Sequence, residues 1–174
     1  MKVGIDISQT AYQQTGVANF LVQLIQQLLK HPDIRIVLFY SSFGKYNQAF
    51  DFFNSQTISI KRFPFPPWLL DTVWNRLHIL PIETFIGSVD IFLSSDWTQP
   101  PTRSAKSATI LYDLVAYKYP KETHDTIVAT QKRKLDWSKK ECDLILCISE
   151  ATKRDALEIL GVPVEKLTVI YPGI

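Results

Sequence analysis

Cysteine, histidine, methionine and glycine are all scarce in this sequence of 174 residues, at two, three, one and six copies. Two cysteines, Cys142 and Cys147, make no disulfide framework and read as reduced packing residues of a cytosolic protein. A zinc site needs more ligands, and His31, His78 and His124 have no companions at ligand or triad spacing, so neither metal nor Ser-His-Asp chemistry is expected. No G-x-G-x-x-G or G-x-x-x-x-G-K-[ST] occurs, which removes most support for dinucleotide dehydrogenases and P-loop phosphotransferases. No run approaches the roughly 18 apolar residues of a membrane span, and Met1-Lys2 leads straight into an alternating pattern rather than a charged-then-apolar leader. The expectation is a cytoplasmic chain that spans no membrane. Excess charge is lacking too: 19 basic against 17 acidic residues leave +2, too little to imply a nucleic-acid partner.

What is present is ordinary globular composition, 46% hydrophobic and 21% charged, which excludes disorder and suits one domain. Strand and helix signals alternate along it. Strands are expected at Val3 to Ile7, Ile34 to Tyr40, Thr57 to Phe63, Val89 to Leu93, Ala108 to Tyr112, Asp143 to Ile148 and Leu167 to Ile170. Val17, Phe20, Leu21, Leu24, Ile25, Leu28 and Leu29 form one helical stripe, ended by His31-Pro32. His124 to Glu141 reads as a long helix, and Ser149 as the cap of the next. Strands separated by helices argue for a parallel sheet in a doubly wound, Rossmann-like α/β domain with helices on both faces. Ligands bind beyond the carboxyl ends of such strands, which directs attention to Ser8 to Gly16, Ser94 to Pro101, Asp113 to Pro120 and Ser149.

Each candidate there carries two readings. Gly16, where a helix begins, either admits an anionic ligand to backbone N–H groups or serves the backbone angles of its loop. Asp113 either accepts hydrogen bonds from substrate hydroxyls or caps a turn, and Ser149 either caps a helix or receives an anion. The apolar, proline-broken stretch Phe63 to Leu70 lines a pocket, touches membrane or packs on its own domain. The basic run Lys132, Arg133, Lys134, Lys139 and Lys140 reads as a solvated helix face.

Nearly the whole chain resembles the N-terminal half of the family 4 retaining glycosyltransferases, enzymes of GT-B fold whose two Rossmann-like domains face each other across a cleft. The most specific part is Asp143-Leu144-Ile145-Leu146-Cys147-Ile148-Ser149-Glu150-Ala151-Thr152-Lys153-Arg154-Asp155, followed by Leu160-Gly161-Val162-Pro163 and Val169-Ile170-Tyr171-Pro172-Gly173. Asp90-Ile91-Phe92, Ser95-Asp96-Trp97, Pro100-Pro101, Tyr112-Asp113-Leu114 and Tyr119-Pro120 look like the branch that includes many bacterial mannosyltransferases.

The resemblance implies that the loop with Thr15 and Gly16 lies near the donor diphosphate and the acceptor, that Thr15, Gly16 and Ser149 bind substrate or diphosphate, and that Gln14, Asp96 and Trp97 stand on acceptor-side loops. Tyr112-Asp113 stands where the family commonly has His-Asp, which makes these two the catalytic candidates and marks a departure from the pattern. The function implied is the acceptor-side domain of an enzyme moving a hexose, expected to be mannose, from a nucleotide sugar to a glycan or lipid-linked acceptor. No metal or other cofactor is expected. A C-terminal donor-binding domain, in the same or a separate chain, is the expected partner, and peripheral contact with the inner face of the membrane is a further expectation. The alternative is a non-catalytic glycan- or nucleotide-binding module that kept the fold.

Overall fold

The computed structural model describes residues 1–11, 15–43 and 58–172. All seven expected strands are there, each within one or two residues of its expected bounds: β1 (Lys2–Asp6), β2 (Arg35–Ser41), β3 (Ile58–Phe63), β4 (Ile91–Ser94), β5 (Lys106–Leu111), β6 (Leu144–Cys147) and β7 (Leu167–Val169). They form one sheet in the order β3-β2-β1-β4-β5-β6-β7, every pairing parallel. The chain winds outward from β1 to β3, returns to the other flank of β1, and winds outward again to β7. The strand order therefore reverses between β1 and β4, and a crevice opens where their carboxyl ends diverge.

Helices cover both faces. The stripe read from Val17 onward is α1 (Gly16–Leu28), which buries Leu21 and Ile25 against Val3, Ile5, Ile36 and Leu38. On the opposite face, α2 (Pro67–Leu70) runs into a π-helical turn (Asp71–Arg76), followed by α3 (Glu83–Ile86). Trp74, Ile82 and Ile86 pack there against Val37, Phe39 and Phe92. The short α4 (Val115–Lys118) precedes α5 (Asp125–Glu141), capped by His124 as its expected start implied. Next comes α6 (Glu150–Asp155), which continues as a π-helical turn (Ala156–Leu160) ended by Gly161 in the left-handed region, φ 62°.

Packing decides between the readings of one stretch and corrects another. The proline-rich stretch from Phe63 divides: Phe63 and Phe65 stack with centroids 5.3 Å apart against Phe39 and Phe85, whereas Pro67 opens α2 and leaves Trp68 68% exposed. A proline is at home at that first helical position because its missing N–H has no partner to lose. The basic run on α5 is not a solvated face throughout. Lys134 is fully buried and Arg133 half-buried, since residues 131, 134, 135 and 138 fall on the stripe facing the sheet.

Two contacts hold the layers close. Glu83 Oε1 accepts the backbone N–H groups of Arg103, Ser104 and Ala105 at 2.8–3.1 Å, fixing the turn into β5. In β1, a Cβ added at Gly4 would lie 2.8 Å from Ile86 Cδ1 and 2.9 Å from Phe92 Cδ2, so the absence of a side chain lets α3 and β4 approach the central strand. Gly4→Ala should therefore cost about 1–3 kcal/mol through overpacking. Thermal unfolding should show roughly 2–4 °C lost per kcal/mol in a chain of this size; an unchanged Tm would mean that the close approach is not needed.

Candidate functional site

The crevice is lined from the strand ends inward. β1 finishes on Asp6, 1% exposed, whose Oδ1 accepts both the backbone N–H (2.8 Å) and the hydroxyl (2.6 Å) of Ser8. Its Oδ2 is buried without a well-aligned hydrogen bond, although the Ser95 and Thr98 hydroxyls lie alongside. Burial pushes the Asp6 carboxyl above its usual range, against the pull of the Ser8 bonds. One step on, the buried Gln9 reaches across the switch point, where its Oε1 accepts the Asp96 backbone N–H at 2.9 Å.

The segment after β4 is tied down mostly through its backbone. The Ser95 hydroxyl accepts the Thr98 N–H (3.2 Å), Asn75 Nδ2 donates to the Trp97 carbonyl (2.9 Å), and Gln131 Nε2 of α5 donates to the Asp96 carbonyl (3.1 Å). With its backbone so engaged, Asp96 keeps a half-buried carboxylate that accepts no hydrogen bond among the described residues, and Trp97 stands 39% exposed beside it. Burial raises the Asp96 pKa, Asp113 adds to the rise, and the Lys134 ammonium opposes both.

Beneath this loop lies a dry polar cluster. Ser94 Oγ is 2.7 Å from Gln99 Oε1 and 2.9 Å from Thr109 Oγ1, and Lys134 Nζ donates to Thr109 Oγ1 at 2.7 Å. Gln99 Nε2 donates to Ser107 Oγ at 2.9 Å. These five side chains, from β4, the loop after it, β5 and α5, are all 3% exposed or less.

Tyr112, the first residue beyond β5, points its ring at Phe20 of α1, edge to face at 5.9 Å. Its hydroxyl is buried without a well-aligned partner among the described residues, although the Gln9 side chain lies alongside. Burial, with a smaller contribution from the Asp96 charge, pushes that phenol far above its ordinary range. Tyr112 therefore acts as a neutral hydrogen-bonding group at any physiological pH.

The structure thus brings Asp96, Trp97 and Tyr112 to one edge, together with the first turn of α1. The other candidates play capping roles as the protein stands. Thr15 Oγ1 accepts the Ala18 N–H (3.2 Å), Asp113 Oδ1 the Val115 N–H (3.0 Å) and Ser149 Oγ the Thr152 N–H (3.0 Å). Gln14 lies outside the described residues. Gly16 does not serve an unusual backbone: the described glycines with positive φ are Gly87 and Gly161, and a Cβ at Gly16 meets no described atom within 4 Å.

The family model of Glycosyltransferase Family 4 matches residues 14–174, nearly the whole chain and all of the site residues above except Asp6, Ser8 and Gln9. The chain belongs to glycosyltransferase family 4. Among curated proteins none matches it.

For this family 4 chain, reading the sequence passed over Asp6, Gln9, Gln99 and Lys134 as site residues. Asp6 carried a signal, a lone carboxylate closing an apolar strand, and Lys134 shared a stripe with Leu135 and Ser138. Gln9 and Gln99 carried none, because an amide in a loop looks alike exposed or buried.

A carboxylate whose folded pKa is raised binds its proton where the unfolded chain has released it, so its contribution to stability falls as pH rises through that window. Asp6→Asn, neutral throughout, should be more stable than the native chain at neutral pH by about 1–3 kcal/mol, the usual cost of a buried unsatisfied group. Chemical denaturation across pH should show that advantage shrinking toward and below the ordinary carboxylate pKa, about 3.9. A variant less stable at every pH would show that Asp6 is kept for folding rather than for the crevice.

Proposed function

We propose that the chain is the acceptor-side half of a glycosyltransferase that moves a hexose, mannose being our choice, from a nucleotide sugar to a glycan or lipid-linked acceptor with retention. The carrying observation is the grouping at the sheet edge: an Asp96 carboxylate and a Tyr112 hydroxyl that lack a well-aligned hydrogen bond among the described residues, and the exposed Trp97 indole, beside the first turn of α1. A carboxylate and a phenol accept and donate hydrogen bonds to sugar hydroxyls, while an indole covers the apolar face of a pyranose ring. Backbone N–H groups at Gly16 add a positive dipole end for a diphosphate.

The remaining donor contacts belong in this reading to a second GT-B domain, in the same or a separate chain. Transfer proceeds without a metal, with the departing diphosphate stabilised electrostatically. Tyr112, in the place of the family's more common histidine, hydrogen-bonds the transferred sugar without taking up a charge. No helix among the described residues is long and apolar enough to cross a membrane. Peripheral contact, as a lipid-linked acceptor requires, is supported by exposed Trp68, Leu77, Ile79 and Leu80 and by Lys140, whose Nζ lies 4.8 Å from the Trp137 ring stacked on His78.

The test is transfer from GDP-mannose and other nucleotide sugars to glycan and lipid-linked acceptors, with a donor-binding domain supplied. The chain alone should not turn over. Asp96→Asn should lower kcat/KM for the acceptor about tenfold, matching one charge-assisted hydrogen bond of about 1.5 kcal/mol. Saccharide binding with no turnover under any pairing would favour the non-catalytic module instead.

A further inference from the structure

Lys134 occupies a place where an apolar residue would be expected. It lies on the sheet-facing stripe of α5, next to buried Leu135, and none of it reaches solvent. An ammonium carries three N–H groups, and hydrogen bonding among the described residues engages one of them, through Thr109 Oγ1 at 2.7 Å. Burying a lysine charge is unfavourable unless another charge compensates it. No carboxylate among the described residues forms an ion pair with it, the pairs present being Arg76–Asp71, Arg133–Asp71, Lys118–Asp155 and His78–Glu141. The charge that faces Lys134 is Asp96, across the dry cluster of Ser94, Gln99 and Thr109.

One helix therefore acts on the Asp96 loop twice. Gln131 fixes the Asp96 carbonyl, and one turn later Lys134 lies under the strand ends that carry the loop. From the remaining elements Asp96 faces Asp113 and Tyr112 beyond β5 and the neutral Gln9 beyond β1. Lys134 faces Cys142 besides Asp96. Lys134 thus sets a buried cation beneath the loop that carries Asp96.

We propose that Lys134 is a positioning residue for the acceptor carboxylate: through Thr109 and Ser94 it braces the loop after β4, and it sets a buried ammonium beneath the Asp96 side chain that receives an acceptor hydroxyl. This rests on the function proposed above and adds the device that keeps a crowded carboxylate usable. Burial lowers the Lys134 pKa and raises that of Asp96, and the charge of each opposes the shift of the other.

The direct test is the ¹³C titration of the Asp96 carboxyl in the native chain and in Lys134→Met, whose unbranched side chain fills the same space. The proton affinity of Asp96 should rise about tenfold in the variant. Thr109→Val, which removes the hydrogen bond and keeps the charge, should leave that titration nearly in place. If Lys134→Met does not fold, Lys134→Met/Asp96→Asn, with both charges gone, should fold and be more stable than the sum of the single effects implies. In the reconstituted enzyme Lys134→Met should raise the acceptor KM about tenfold, with kcat nearly unchanged and the acid limb of the pH profile moved upward. An unshifted Asp96 titration, or strictly additive stabilities, overturns the role of Lys134 whatever the enzyme does. A shifted titration with unchanged acceptor KM upholds the coupling and fails the reading of the crevice as an acceptor site.

Discussion

The hydroxyl of Ser94 lies where three elements meet, and the crevice depends on that junction. It ends β4, touches Thr109 of β5 at 2.9 Å, and bonds Gln99, which in turn is reached by Ser138 of α5 at 3.3 Å. In a parallel sheet the strand ends diverge and their loops lack the mutual pairing of hairpins, so something other than the ladder must fix the loops. Here a buried polar cluster does so, and because its members hold one another they are not orphaned in a dry interior. The loop of Asp96 and Trp97 is thereby presented as a fixed surface above that cluster.

That rigidity gives the electrostatics their meaning. Asp6, Asp96 and Asp113 stand at or just beyond the ends of β1, β4 and β5 at one edge; burial raises the pKa of Asp6 and Asp96, and the Asp113 charge adds to the rise at Asp96. An arrangement that disfavours its own ionisation is hard to explain as a contribution to stability. It suits a site whose unspent hydrogen-bonding capacity belongs to a polyhydroxylated ligand, in keeping with membership of glycosyltransferase family 4. The hydroxyl of Tyr112 and the first turn of α1 add one neutral and one electropositive group to the same edge.

Much of the fold was legible because parallel, doubly covered strands announce themselves as apolar runs, and α1 as a periodic stripe. Strand bounds moved by a residue or two, as at β5, which starts on the exposed Lys106 because Asp90 accepts its backbone N–H. The site was less legible. Asp96, Trp97 and Tyr112 stood out through their place after strands, whereas Lys134 was read with the solvated lysines around it, since charge in sequence speaks for exposure and only the stripe spacing spoke against it. Thr15, Asp113 and Ser149 are residue types that cap and bind with the same oxygen, so sequence alone left both roles open, and the structure shows the capping role occupied.

The most direct measurement is a ¹H–¹⁵N chemical-shift map of the chain titrated with nucleotide sugar and, separately, with acceptor saccharide. The account predicts perturbations concentrated at Gln9, Gly16, Asp96, Trp97 and Tyr112, around the carboxyl ends of β1, β4 and β5. Perturbations confined to the opposite pole, around Asp33, Asp90, Arg103 and Asp143, would contradict it.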